Sequence, residues 1–156
     1  MAPTPTILLC TDGSDLSIRA LADGLRLLPA DAKKIIVTVI DDLDESLVTG
    51  ASGFAGGTMS PDEFDELVDS TRSEGEQIVM RAASALGIPD AETRIVRGQA
   101  THAGQALCAL VDELSAEVIV MGSRGLGGIK RALLGSVSDH VVRNAHCSVL
   151  ITRESS

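Results

Sequence analysis

The sequence predicts an α/β fold, a doubly wound sheet of five parallel strands ordered 3-2-1-4-5 with helices on both faces. Three observations predict it. Short β-branched apolar runs alternate with helix-period stretches as β-α-β-α-β-α-β-α-β, and such alternation calls for right-handed crossovers between parallel strands. Apolar residues make up 44% of the chain and aromatics 1%, so the core is aliphatic, as in strands covered on both faces. The chain has 156 residues and no repeat, linker or low-complexity block, which suits one domain over residues 1–156.

The elements follow in order. Residues 6–11 (TILLCT) read as a buried strand ending at the turn Asp12-Gly13-Ser14. Between 15 and 28, Leu21, Leu25 and Leu28 recur at helical spacing, and Pro29 stops the pattern. Residues 34–40 (KIIVTVI) form the second strand. Residues 41–60 hold Gly50, Gly53, Gly56 and Gly57 and read as a long mobile loop, either functional or a tolerated surface insertion. Pro61 opens a helix to about Leu86, with acids in its first turn and an inward stripe of Phe64, Leu67, Val68, Thr71, Ile78, Ala82 and Leu86. Residues 92–97 are the third strand. A helix over 101–115 follows, with Ala103, Ala106, Leu107, Leu110 and Leu114 inward, and 117–121 (EVIVM) is the fourth strand. Ser136 opens the last helix, with Asp139 as its capping-box partner, and 148–152 (SVLIT) closes the sheet.

The formal charge of −9 and pI near 4.7, with no basic cluster large enough to offset them, exclude nucleic acid and anionic membrane faces as partners. They do not exclude a nucleotide, because phosphate recognition is local. Cys10, Cys108 and Cys147 lack metal-ligand spacing and sit in apolar stretches, so buried thiols in a reducing compartment are expected. No secretory signal is visible and no apolar run is long enough to span a bilayer, so a cytoplasmic location is expected. His102, His140 and His146 are scattered and read as solvated or helix-terminal.

Ligands of open parallel sheets bind beyond the carboxyl ends of the strands, where strand order reverses. Two strand ends are chemically unusual: 11–14 (TDGS) and 121–125 (MGSRG), which would be neighbours across the switch point. The second runs Gly122, two residues, Gly125, nine residues, then Gly135-Ser136 at a helix start. Glycines allow positive φ and leave amides open to phosphate oxygens. The helix N-terminus adds partial positive charge and Ser136 a hydroxyl, and Arg124, Lys130 and Arg131 gather cations there. A plain tight turn and a capped helix would use the same residues. The segment completes neither the P-loop nor the dinucleotide fingerprint. Asp12 suits a ribose, a base or Mg²⁺, or else a turn or N-cap role. Val39 and Ile40 offer an apolar wall for a base, or simply core.

The segments 120–125 (VMGSRG) and 134–137 (LGSV) together resemble the G-2x-G-9x-G-(S/T) signature of the ATP-binding universal stress proteins, as do TDGS, 37–41 (VTVID) and 147–152 (CSVLIT). The resemblance covers nearly the whole chain and implies a Rossmann-like fold of the adenine nucleotide alpha hydrolase type. It implies ATP, AMP or another adenine nucleotide, with Mg²⁺ or Mn²⁺ often present. Adenine would lie near Asp12, Val39 and Met121, while Gly122, Arg124, Gly125, Gly135, Ser136 and Val137 would hold ribose and phosphates. It also implies a homodimer paired through the last strand. Cys10 stands where the family often has proline, and the glycine-rich loop 41–60 lies over the expected site.

The function expected is a nucleotide-binding stress regulator acting on an unidentified protein partner. No dedicated general base is recognisable, so hydrolysis is slow at most. The alternative is a homodimeric interaction module with a vestigial site. An adenylating ligase, faintly resembled by residues 11–15, lacks a second substrate domain here.

Overall fold

Five parallel strands form one sheet in the order β3-β2-β1-β4-β5: β1 (Thr6–Cys10), β2 (Lys33–Ile40), β3 (Glu92–Arg97), β4 (Val118–Gly122) and β5 (Ser148–Thr152). This computed structural model describes residues 3–50, 58–99, 102–123 and 134–153. The helices are α1 (Asp15–Leu25), α2 (Ser46–Thr49), α3 (Pro61–Ala85), α4 (Ala103–Glu113) and α5 (Ser136–Asn144). Strand order and winding are those the sequence predicts.

Strand alternation sorts the core into two layers. Leu8, Cys10, Ile35, Val37, Ile119 and Met121 face α4 and α5, meeting Leu107, Leu110, Val111 and Val141. Ile7, Leu9, Ile36 and Val120 face α1 and α3, meeting Ile18, Leu21, Val79, Ala82 and Ala83. Central strands thus bury both faces, which is why they read as unbroken apolar runs.

Several expectations need correction. The loop 41–60 contains the short helix α2, closed by Gly50 at φ 71, and Met59 N–H donates to the Leu47 carbonyl at 3.0 Å. The inward stripe of α3 holds only in its second half. Its buried residues are Gly75, Val79, Ala82 and Ala83, while Leu67 is exposed. Contact with the sheet centres on Gly75, whose missing Cβ would stand 2.9 Å from Ile40 Cγ2 and 3.0 Å from Ile95 Cγ2. In α4 the buried residues are Gly104, Leu107, Leu110 and Val111, because α4 packs on α5 through Gly104, where a Cβ would meet His140 Cβ at 2.7 Å. Cys10 is buried, but Cys108 and Cys147 are only half-buried, and desolvation pushes all three thiols up from their ordinary value. Among the described residues no helix is long and apolar enough to cross a membrane.

Candidate functional site

β1 lies between β2 and β4, at the point where the winding reverses, and its tip sets the geometry of the site. Cys10 pairs with Val37 and Leu9 with Val120. The Thr11 N–H extends the first ladder by donating to the Val37 carbonyl at 3.0 Å. Carried onward, the same registers set Asp12 level with Val39 on one side and with Ser123 on the other. Val39 and Met121 pack in the layer beneath α4 and α5, as does Val137 of the first turn of α5. The predicted base wall and the predicted anion-binding helix end therefore share one side of the sheet, at its carboxyl edge. Met121 is 6% exposed, so Val39, which is half-buried, presents the larger apolar surface.

The turn after β1 is built by its own polar side chains. One Asp12 carboxylate oxygen accepts from the Ser14 N–H at 2.9 Å and the Ser14 hydroxyl at 2.6 Å. Ser14, not Asp12, is the N-cap of α1, its hydroxyl oxygen accepting from the Ser17 N–H at 3.1 Å. Thr11 Oγ1 accepts from the Gly13 N–H at 3.0 Å and meets Ser17 Oγ at 2.6 Å. Gly13 has φ 84, a conformation that favours glycine.

The turn after β4 is stitched at both ends. Ser123 N–H donates to the Thr152 carbonyl at 3.2 Å, and Gly135 N–H donates to the Ser123 carbonyl at 2.8 Å. The Ser138 hydroxyl lies 3.3 Å from the Ser123 carbonyl and 3.0 Å from that of Gly135, and donates into this pair. Gly135 is the N-cap of α5 at φ −64, with no side-chain cap. The capping box expected of Ser136 and Asp139 is thus absent: the cap position has no side chain, and Asp139 accepts from Arg143 Nε at 2.9 Å. An uncapped N-terminus leaves first-turn amides available to another acceptor. The Gly135 amide is not among them, and Gly122 ends β4 as strand, so neither glycine uses left-handed freedom.

Asp12 and Gly122 thus stand at the tips of adjacent strands, Val39, Met121 and Val137 pack in the layer beneath α4 and α5, and Gly135, tied to Ser123, precedes Ser136 at the start of α5. Arg124 and Gly125, with Lys130 and Arg131, lie outside the described residues. Ser14 belongs to the turn the sequence announces, whereas Ser17 and Ser138, which help shape the two turns, carried no signal beyond their type. Among the described residues no three metal-ligating side chains converge.

The fold is that of a doubly wound α/β protein whose topological switch point falls at β1 and β4. The chain belongs to the Universal stress protein family, whose sequence profile matches residues 4–153. It is 33% identical to the universal stress protein YxiE of Bacillus subtilis over 151 residues, covering 94% of this chain and 97% of that one. It is 27% identical to the universal stress protein MJ0531 of Methanocaldococcus jannaschii, covering 95% and 81%. Among solved structures, a universal stress protein in complex with cAMP is 29% identical, with a TM-score of 0.65 over 99% of this chain and 100% of that one. The protein MJ0577 matches at a TM-score of 0.69 and 20% identity, over 99% of both chains, and speaks for the fold alone.

Proposed function

We propose that this protein is a stress-response regulator that binds an adenine nucleotide, ATP in the first place, and hydrolyses it slowly at most. The observation that supports this reading is that the tip of β1, carrying Asp12, neighbours that of β4, which is tied through Ser123 to the uncapped start of α5. Adenine rests against Val39 and the edge of Met121, with Asp12 accepting from base or ribose. The phosphates run along Gly122, Arg124 and Gly125 to the amides of Ser136 and Val137, where a helix N-terminus favours anions. The cAMP complex of a relative 29% identical supports an adenine ligand. Mg²⁺ or Mn²⁺ would ride on phosphate oxygens and water, as hard cations do beside nucleotides. Slow hydrolysis follows from the placement of Asp12 at the adenosine end, because phosphoryl transfer needs an oriented nucleophile at the other.

The regulator acts as a homodimer in this reading. β5 is an edge strand whose Val149, Leu150 and Ile151 are only half-buried, which suits pairing with a second copy. Its unidentified protein partner would read the liganded state.

Native mass spectrometry of the purified protein tests the proposal, together with calorimetric titration by ATP, AMP and cAMP. A dimer mass carrying adenine nucleotide, and loss of that ligand in Gly135→Leu, are the expected results. A protein that arrives bare and binds none of the three at millimolar concentration overturns it.

A further inference from the structure

α3 begins far from the crevice in sequence, yet it touches the tips of both strands assigned to the adenosine. Gly75 brings the helix against Ile40, the last residue of β2, where a Cβ would stand 2.9 Å from Ile40 Cγ2. One turn later, the side chain of Ile78 fills the space in front of Gly13, where a Cβ would lie 2.9 Å from Ile78 Cγ1. One further turn on, Arg81 Nη1 donates to the Gly13 carbonyl at 3.1 Å, and Nη2 pairs with the Asp15 carboxylate. Ile78 and Arg81 are three residues apart and so share a helix face.

Gly13 is consequently held on three counts: its amide by Thr11 Oγ1, its α-carbon by Ile78, its carbonyl by Arg81. Asp12 is the residue before it, and its carboxylate is aimed by the same turn. Val39 precedes Ile40, against which the same helix is seated. A shift of α3 along the sheet would therefore move Asp12 and Val39 together, since α3 seats chiefly on β2 and β3 and holds the Gly13 carbonyl through Arg81.

We infer that Arg81 is a positioning residue for the adenosine half of the nucleotide site, clamping the Asp12 turn to α3. The inference rests on the nucleotide reading above. The guanidinium is the group suited to the task, since its planar fork satisfies a carbonyl and a carboxylate at once. The ion pair is exposed on both sides, with side-chain exposures of 58% and 74%, so its loss leaves the fold intact and acts on the turn it orders.

The test compares wild type with Arg81→Ala and Arg81→Lys. Adenosine and ATP affinities are measured by calorimetry. Tripolyphosphate affinity is measured by displacement of a fluorescent ATP analogue. Arg81→Ala is expected to weaken adenosine and ATP by the same factor, about three- to tenfold for a lost charge-assisted contact, with tripolyphosphate unchanged. Arg81→Lys, which keeps the charge but not the fork, should fall between. Asp15→Asn loosens the clamp from the other side and should reproduce the split should Arg81→Ala fold poorly. Unchanged adenosine affinity in Arg81→Ala overturns the inference, as does a tripolyphosphate loss equal to the adenosine loss. Wild type that binds neither adenosine nor ATP overturns the underlying nucleotide reading, and the inference falls with it.

Discussion

Gly13 shows how much of this site is decided by single atoms. At φ 84 with Ile78 Cγ1 2.9 Å from where a Cβ would stand, alanine there meets both backbone strain and a methylene. Gly13→Ala should therefore destabilise the protein by about 1–2 kcal/mol, the cost of a left-handed non-glycine residue, read from urea unfolding. A variant as stable as wild type would show that the turn relaxes freely. Ser138 is the counterpart on the other loop. Ser138→Ala removes the hydroxyl shared by the Ser123 and Gly135 carbonyls and should cost about 1 kcal/mol, with faster amide exchange at Gly135. Asp12, Val39 and Gly122 were legible in the sequence because strand tips announce themselves by a switch from apolar residues to turn residues. Arg81 and Ser138 were not, because their partners lie 68 and 15 residues away. Nothing local distinguishes them from a solvated arginine and a helix serine.

At the scale of elements, α3 is built from its cap inward. Ser60 accepts from the Glu63 N–H at 3.2 Å while Glu63 Oε2 accepts from the Ser60 N–H at 2.8 Å, and Pro61 supplies a preset φ at the first position. No residue before Gly75 in this helix is buried, so the cap carries the weight that packing carries later. Ser60→Ala should cost about 1 kcal/mol and fray the first turns, seen as faster hydrogen exchange over 61–66. These hydrogen bonds hold the Glu63 carboxyl below the ordinary glutamate value. A depressed folded-state pKa contributes stability that is present above the unfolded value and lost as pH falls through the folded one. The cap therefore weakens below about pH 4.5, the ordinary glutamate value, and Glu63→Gln should flatten that acid limb. An unchanged acid limb in Glu63→Gln would place the loss elsewhere. Element type was legible for the five strands and the four longer helices, since runs such as KIIVTVI read as strand from any direction, but not for the four-residue α2 in the glycine-rich stretch. The faces of α3 and α4 were not, because Gly75 and Gly104 rank as breakers by propensity, yet they are the points of closest approach. A hydrophobic stripe counts side chains, and these two contacts exist because a side chain is missing.

At the scale of the molecule, the sheet order places two chemically unlike turns side by side, and a bound nucleotide would tie them to each other. The Asp12 turn belongs to β1 and α1, and the Gly122–Gly135 loop to β4 and α5. They are joined through the β1–β4 ladder and through whatever lies between their tips. A ligand bound only by the folded chain adds RT ln(1 + [L]/Kd) to stability, about 2.7 kcal/mol at a hundredfold excess over Kd. For a chain of this length that corresponds to a rise in Tm of roughly 5–10 °C. Under the proposed function, ATP should produce this rise and GTP a smaller one, because Val39 and Asp12 act on the base while the phosphate groups are common to both. Gly135→Leu should keep the unliganded Tm within a few degrees, since its φ of −64 admits any residue, yet lose the ATP-dependent rise because a side chain now fills the helix start. Differential scanning calorimetry across a nucleotide series reads both quantities in one set of scans. Equal rises with ATP and GTP would mean that the phosphates alone are held and that the β1 side of the crevice takes no part in recognition.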